Sequence, residues 1–131
     1  MEFISFLRNV RTGRVLDSNH TGHTYTLDLN GGYFQQWLFR PAGFDWMFDM
    51  YTLQNVATGR LLDSNANGTV YTLPANGGPY QLWIKMTGRQ DGFLLMNRAT
   101  RRVLDSNFAL PVGSVYTLRI NGGNFQSWNT L

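Results

Sequence analysis

Apolar residues in this chain come in short runs that alternate with polar ones, and turn residues punctuate the runs every few positions. Alternation with a period of two predicts strands, because successive strand side chains point to opposite faces. In the first third of the chain the strands are expected near Phe6 to Asn9, Arg14 to Leu16, Thr24 to Leu27 and Gln35 to Phe39. The middle pair reads as a hairpin. Its counterpart further on carries Asn67-Gly68, a dipeptide suited to the positive φ angles of a tight turn. A second reversal is expected at the Asn-Gly-Gly beginning at Asn30, Asn76 and Asn121, since glycine enters the left-handed region without a Cβ clash.

The whole pattern occurs three times. RNVRTGRVLDSN from Arg8 is followed by YTLDLNGGYFQQW from Tyr25. QNVATGRLLDSN from Gln54 is followed by YTLPANGGPYQLW from Tyr71. MNRATRRVLDSN from Met96 is followed by YTLRINGGNFQSW from Tyr116. In every copy an Asn precedes the Asp of LDSN by eight residues, as in Asn9 and Asp17, Asn55 and Asp63, Asn97 and Asp105. The Tyr of YTL precedes the Asn of NGG by five, and that Asn precedes the Gln of Gln-x-Trp by another five. A repeat of roughly forty residues suits either a trefoil lobe or a propeller blade. Propellers use about four blades or more, whereas three lobes can close a small barrel. The expected fold is an all-β β-trefoil with pseudo-threefold symmetry, one domain over residues 1–131 with lobes near 3–40, 50–86 and 92–131. Leu16, Leu62 and Leu104 should meet Trp37, Trp83 and Trp128 in a common core near the axis.

Composition narrows the function. At 131 residues the chain fits one domain, and its 14 glycines with few Lys or Glu favour turns over helix. With no cysteine there is neither a disulfide framework nor a thiolate metal site. The net charge of +3 is spread out, with no basic stripe for nucleic acid. No apolar run is long enough to span a bilayer, and Met1 to Phe6 lacks the features of a signal peptide.

Both structural and functional residues repeat in a symmetric fold, so the three copies must be compared where they drift. After LDSN stand His20, Ala66 and Phe108, and after YTL stand Asp28, Pro74 and Arg119, yet Asp, Tyr and Asn persist nearby. Asp17, Asp63 and Asp105 could each close an Asx-turn. Their persistence beside a tyrosine and an amide suits a sugar site instead, in which a carboxylate accepts from neighbouring hydroxyls and a ring covers the C–H face. Tyr25, Tyr71 and Tyr116 read either as barrel-wall aromatics or as pocket walls. Leu27, Leu73 and Leu118 read as core or as partners of those tyrosines on one strand face. Asn30, Asn76 and Asn121 suit a turn, a ligand contact or both. Gln35, Gln81 and Gln126 read as buried amides that satisfy backbone groups beside the Trp.

The triple Gln-x-Trp ending resembles the ricin B-chain-like lectin family of β-trefoils, over the whole chain. The phrase LDSN, then YTLPANGG, then Gln-x-Trp is similar to members of that family that bind terminal mannose of high-mannose glycans. Related lobes occur in the glycan-binding parts of certain insecticidal toxins. The resemblance implies sugar ligation by Asp17, Tyr25, Leu27 and Asn30, by Asp63, Tyr71, Leu73 and Asn76, and by Asp105, Tyr116, Leu118 and Asn121. It implies glycan or glycoprotein partners. No cofactor is expected, and the chain is expected to be soluble and to act outside the cell, as a monomer with an oligomer left open. The third site departs from the pattern, because Asp105 to Tyr116 spans eleven residues instead of eight and the loop holds Phe108-Ala109-Leu110-Pro111.

An enzyme is not expected, because the repeated carboxylates belong to separate lobes and a glycosidase needs two within roughly 10 Å. His20 and His23 have no evident third ligand for a metal. The alternative function is a receptor- or membrane-targeting module of toxin type that uses Phe44, Trp46, Phe48 and Phe108 as an apolar patch. Three of these lie in the connection from Arg40 to Met50, four residues longer than its counterpart, which reads as a flap over the barrel end.

Overall fold

Alternation and turn chemistry produce the expected strands. The computed structural model describes residues 1–131, and its regular elements are thirteen strands and three short 3-10 helices. The strands are β1 (Phe3–Ser5), β2 (Leu7–Asn9), β3 (Val15–Ser18), β4 (Thr24–Leu27), β5 (Trp37–Asp45), β6 (Phe48–Asn55) and β7 (Leu61–Ser64). They continue with β8 (Val70–Leu73), β9 (Trp83–Thr87), β10 (Phe93–Asn97), β11 (Val103–Ser106), β12 (Gly113–Leu118) and β13 (Trp128–Thr130). The helices, Tyr33–Gln35, Pro79–Gln81 and Asn124–Gln126, lie between each Asn-Gly-Gly and its tryptophan.

Two layers emerge from the pairing. Antiparallel contacts β5–β6, β6–β9, β9–β10, β10–β13, β13–β2 and β1–β5 close a barrel in which β1 and β2 act as one interrupted strand. The hairpins β3–β4, β7–β8 and β11–β12 cap one end. They interlock in a cycle. The Thr72 N–H donates to the Gly22 carbonyl at 2.9 Å, the Thr117 N–H donates to the Gly68 carbonyl at 2.9 Å, and Gly113 pairs with Thr26. A Cβ at Gly68 would stand 2.7 Å from the Thr117 carbonyl oxygen, at a φ of +87°, so the close approach of lobes 2 and 3 requires glycine there. This is the β-trefoil.

The core forms where the repeat places it. Trp37, Trp83 and Trp128 are fully buried with Leu16, Leu62 and Leu104 in one cluster. Each indole N–H donates to the carbonyl of its own lobe's leucine at 3.0 Å, which satisfies the ring's polar atom inside the apolar layer. Asn9, Asn55 and Asn97, fully buried, staple neighbouring lobes: their amides donate to the carbonyls of Phe125, Phe34 and Tyr80 at 2.8, 2.8 and 2.9 Å.

Two local expectations change. In the second hairpin only Gly68 has positive φ, and the turn is organised by Asn65, whose Oδ1 accepts from the N–H groups of Asn67 and Thr69. The insertion between Arg40 and Met50 does not cover the barrel end. It lengthens β5 and β6 into a projecting finger whose tip residues Phe44, Trp46 and Met47 are 70 %, 81 % and 66 % exposed. The finger is held at its tip, because Asp45 ion-pairs with Arg98 at 3.0 Å and with Arg101 at 2.9 Å.

Candidate functional site

In each lobe the strand bearing LDS pairs with the strand bearing YTL, and the register sets Asp17 opposite Tyr25, Asp63 opposite Tyr71 and Asp105 opposite Tyr116. Thr26, Thr72 and Thr117 take the buried face of the second strand. Tyrosine and leucine therefore share the outer face. Leu73 and Leu118 are 38 % and 40 % exposed, so the core reading of these leucines does not hold. The half-buried tyrosines lie on the capping hairpins and not on barrel strands, so the barrel-wall reading of them fails too.

The Asn-Gly-Gly reversal closes the opposite side. Its first glycine holds positive φ, at 75°, 73° and 73°, and the Asn itself does not. The Asn Oδ1 instead accepts from the second glycine's N–H at 2.8 Å in every lobe, an Asx-turn that leaves the amide N–H groups of Asn30, Asn76 and Asn121 directed to neither backbone nor side chain. Each Asn backbone N–H is in turn held by the buried Gln, at 2.8, 3.0 and 2.9 Å for Gln35, Gln81 and Gln126. The same glutamines donate to the carbonyls of Asp28, Pro74 and Arg119, as a structural amide should.

Those glutamines also reach the carboxylates. Gln126 Nε2 donates to Asp105 Oδ2 at 3.1 Å, and the Gln35 and Gln81 amides face Asp17 and Asp63 and lower their carboxyls' proton affinity. One side chain thus couples the carboxylate to the Asn-Gly-Gly loop. All three aspartates are buried, at 2 to 3 % exposed, and no guanidinium or ammonium pairs with them. Burial pushes each carboxyl above its usual 3.8, partly offset by the Gln amide and by the backbone N–H of Ser18, Ser64 or Ser106. An Asx-turn would use the N–H two residues on, so that reading of the aspartates gives way to a carboxylate held at the floor of a cleft. The tyrosine hydroxyls are pushed up by burial and by the facing aspartate.

The three copies then diverge. In lobe 2, Asp63, Tyr71, Leu73 and Asn76 line one cleft of about 440 Å³ together with Asn65 and Tyr80. In lobe 1, Asp17, Tyr25, Asn30 and Phe34 line a cleft of about 250 Å³, while Leu27 lies outside it beside Leu110 and Pro111. In lobe 3, Phe108 meets Phe125 edge-to-face with ring centres 5.6 Å apart, and the Arg11 guanidinium sits 4.9 Å from the Phe108 ring. Tyr116 also turns away, its hydroxyl donating to the Ser106 carbonyl at 3.1 Å rather than to Asp105. In lobes 1 and 2 the tyrosine hydroxyl instead faces its aspartate and helps to hold the carboxyl's proton affinity down.

Two sets of residues escape a reading of the repeated phrase alone. Phe34, Tyr80 and Phe125, each the residue before the buried Gln, form the aromatic outer wall; their signal is an aromatic at a fixed offset in every copy. Gly22, Gly68 and Gly113 sit three residues before each Tyr, where neighbouring hairpins touch.

The family description for ricin-type β-trefoil lectin domain-like proteins matches residues 33–109, more than half of the chain. The chain belongs to that family. Solved structures agree on the fold. The designed threefold-symmetric protein ThreeFoil superposes with a TM-score of 0.86 at 24 % identity, covering 98 % of this chain and 97 % of that one. The Rhizoctonia solani agglutinin gives 0.79 at 25 % identity over 100 % and 95 %. SeviL, in a structure bound to asialo-GM1 saccharide, gives 0.80 at 16 % identity over 100 % and 98 %. In this ricin-type chain the Gln of each Gln-x-Trp ending is the strut behind the clefts of lobes 1 and 2.

Proposed function

We propose that the protein is a non-enzymatic lectin that binds terminal hexoses, α-linked mannose of high-mannose glycans first among them, through separate sites on its lobes. The observation that carries this is the lobe 2 cleft. A buried, cation-free carboxylate, a tyrosine hydroxyl, an outward-facing Asn amide and an aromatic ring converge there. Hydroxyl pairs of a pyranose satisfy the first three, and its C–H face covers the ring. The agglutinin and the saccharide-bound SeviL support sugar binding as the family's use of the fold. Mannose is favoured because LDSN, YTLPANGG and Gln-x-Trp look like actinohivin, a lectin for terminal mannose.

The 250 Å³ cleft falls below, and the 440 Å³ cleft in the lower part of, the ~300–1,000 Å³ typical of small-molecule pockets, which suits one or two sugar rings. A single such site binds with a dissociation constant of about 1 mM, or about 4 kcal/mol. Engaging two lobes on one branched glycan raises avidity by roughly 10² to 10⁴. Turnover has no support in the geometry, since each carboxylate is alone in its lobe's cleft. A glycan array with high-mannose, galactose-terminated and sialylated structures tests the proposal. Selective high-mannose binding that disappears in the Asp17→Asn/Asp63→Asn/Asp105→Asn variant is expected. Binding of another sugar would keep the lectin and remove mannose.

A second reading has its own support, the projecting finger with Phe44, Trp46 and Met47 exposed. Phe108 does not join that patch, because its ring packs on Phe125. A Trp46→Ala variant that keeps full glycan binding but loses cell attachment would favour this reading.

A further inference from the structure

The lobe 3 loop that links Asp105 to Tyr116 is three residues longer than its counterparts, and it acts on two lobes. Within lobe 3 Phe108 packs edge-to-face on Phe125, as the residue at the same place in lobe 1, His20, packs on Phe34. Beyond lobe 3 the loop crosses onto lobe 1. Arg14 Nη1 donates to the Ala109 carbonyl at 2.8 Å, Leu110 and Pro111 stand beside Leu27, and Gly113 and Ser114 pair with Thr26 and Tyr25.

This crossing walls a second cleft of about 490 Å³, lined by His23, Val112, Ser114 and Val115 and sharing Asn19 and Tyr25 with the Asp17 cleft. We infer that the second cleft is a subsite for the next sugar ring of an oligosaccharide whose terminal ring occupies the Asp17 cleft. The inference rests on the lectin reading and deepens it. The chemistry of the lining is that of a sugar site. The His23 imidazole and the Ser114 hydroxyl are exposed and bonded to no other side chain or carbonyl, so both are available to ring hydroxyls. Val112, half-buried at the cleft's edge, offers an apolar surface to a C–H face. Tyr25 stands on the boundary, since it lines both clefts together with Asn19 and lies opposite Asp17 in the hairpin register. Lobe 1 therefore reads at least two linked rings, and the loop that fills site 3 is the part that extends site 1.

The test uses the full chain with the other two lobes silenced, Asp63→Asn/Asp105→Asn, titrated with methyl α-mannoside and with a linear α-linked mannotriose. The trisaccharide should bind about tenfold more tightly, about 1.4 kcal/mol. Adding Ser114→Trp, which fills the second cleft, should bring that ratio close to one. As a check without that substitution, the trisaccharide but not the monosaccharide should shift the Val112 methyl resonances of the wild-type chain. A ratio near one before the substitution, or one that Ser114→Trp leaves intact, overturns the subsite while the lectin reading survives. Failure of both sugars to bind overturns the subsite and the mannose reading together.

Discussion

Lobes 2 and 3 carry the same Asp, Tyr, Leu and Asn on the same strands, yet only one of them presents these residues in an open cleft. Lobe 2 follows LDSN with Ala66, which leaves Tyr80 uncovered as a wall. Lobe 3 follows it with Phe108, which covers the equivalent Phe125, and its Tyr116 hydroxyl is committed to a backbone carbonyl. The ligating residues are set by strand register, which symmetry copies faithfully. Access is set by the loop between the strands, which symmetry leaves free. A repeat can thus preserve a site's floor while changing whether anything reaches it.

The largest effect should come from removing the floor of the open site. In a chain where lobe 2 alone is intact, Asp17→Asn/Asp105→Asn, adding Asp63→Asn removes charge-assisted hydrogen bonds that contribute about 1.5 to 3 kcal/mol each. Two such bonds lost means affinity at that lobe falls by more than about a hundredfold, read by titration calorimetry. Thermal stability should hold or rise in the same variant, because the substitution deletes a buried, unpaired charge. A large drop in melting temperature would show that Asp63 serves the fold first.

Acid should act in the same direction. Burial holds the free carboxylates above 3.8, and sugar hydroxyls donating to the charged form lower that value in the complex. The free protein therefore takes up protons more readily than the complex. Affinity is full above the raised value and falls as pH drops through it. The fold responds oppositely to these groups, since the native state binds more protons than the unfolded chain between 3.8 and the raised value. Their contribution to stability improves on acidification through that window. Binding and melting followed together from pH 7 downward check both signs.

A smaller change should bring lobe 3 closer to lobe 2. Phe108→Ala uncovers Phe125, and the number of monosaccharides bound per chain should rise from two towards three. A stoichiometry that stays at two would assign the closure to the turned Tyr116 hydroxyl instead.

The strands, the threefold architecture and the Leu-Trp core were legible because each depends on residues within one copy and is written three times. Asp63 and Tyr71 could be paired from spacing alone, since a hairpin's register is local. Two kinds of feature were less legible. The exposure of Leu73 depends on which strand face meets the barrel, and it is the small, polar Thr72 that turns inward, against the usual order of hydrophobicity. The crossing of Ala109 to Ser114 onto lobe 1 joins residues far apart in sequence, and no repeat encodes it because it happens once. The aromatic wall was visible as Phe34, Tyr80 and Phe125, but its role needed the position of the 3-10 turn.

The smallest expected effect lies in the turn after β10, where lobe 3 again departs from lobe 2. Gly59 holds a φ of 73°, and at the same position Arg101 holds 62°, a left-handed conformation that disfavours a residue with a Cβ by about 1 to 2 kcal/mol. The guanidinium is what lobe 3 gains, since it ion-pairs with Asp45 of the finger. Arg101→Gly should relieve the strain while losing a half-exposed ion pair of up to about 1 kcal/mol and adding unfolded-state freedom of about 0.4 to 1 kcal/mol. These terms nearly cancel, so stability should change by no more than about 1 kcal/mol, a few degrees in melting temperature. Sugar binding at lobe 2 should be untouched. The finger should loosen, with faster amide exchange over residues 44–48 relative to the barrel, because Asp45 keeps only Arg98. Unchanged exchange there would mean that the β5–β6 ladder alone fixes the finger, and that lobe 3 carries a strained arginine without this structural return.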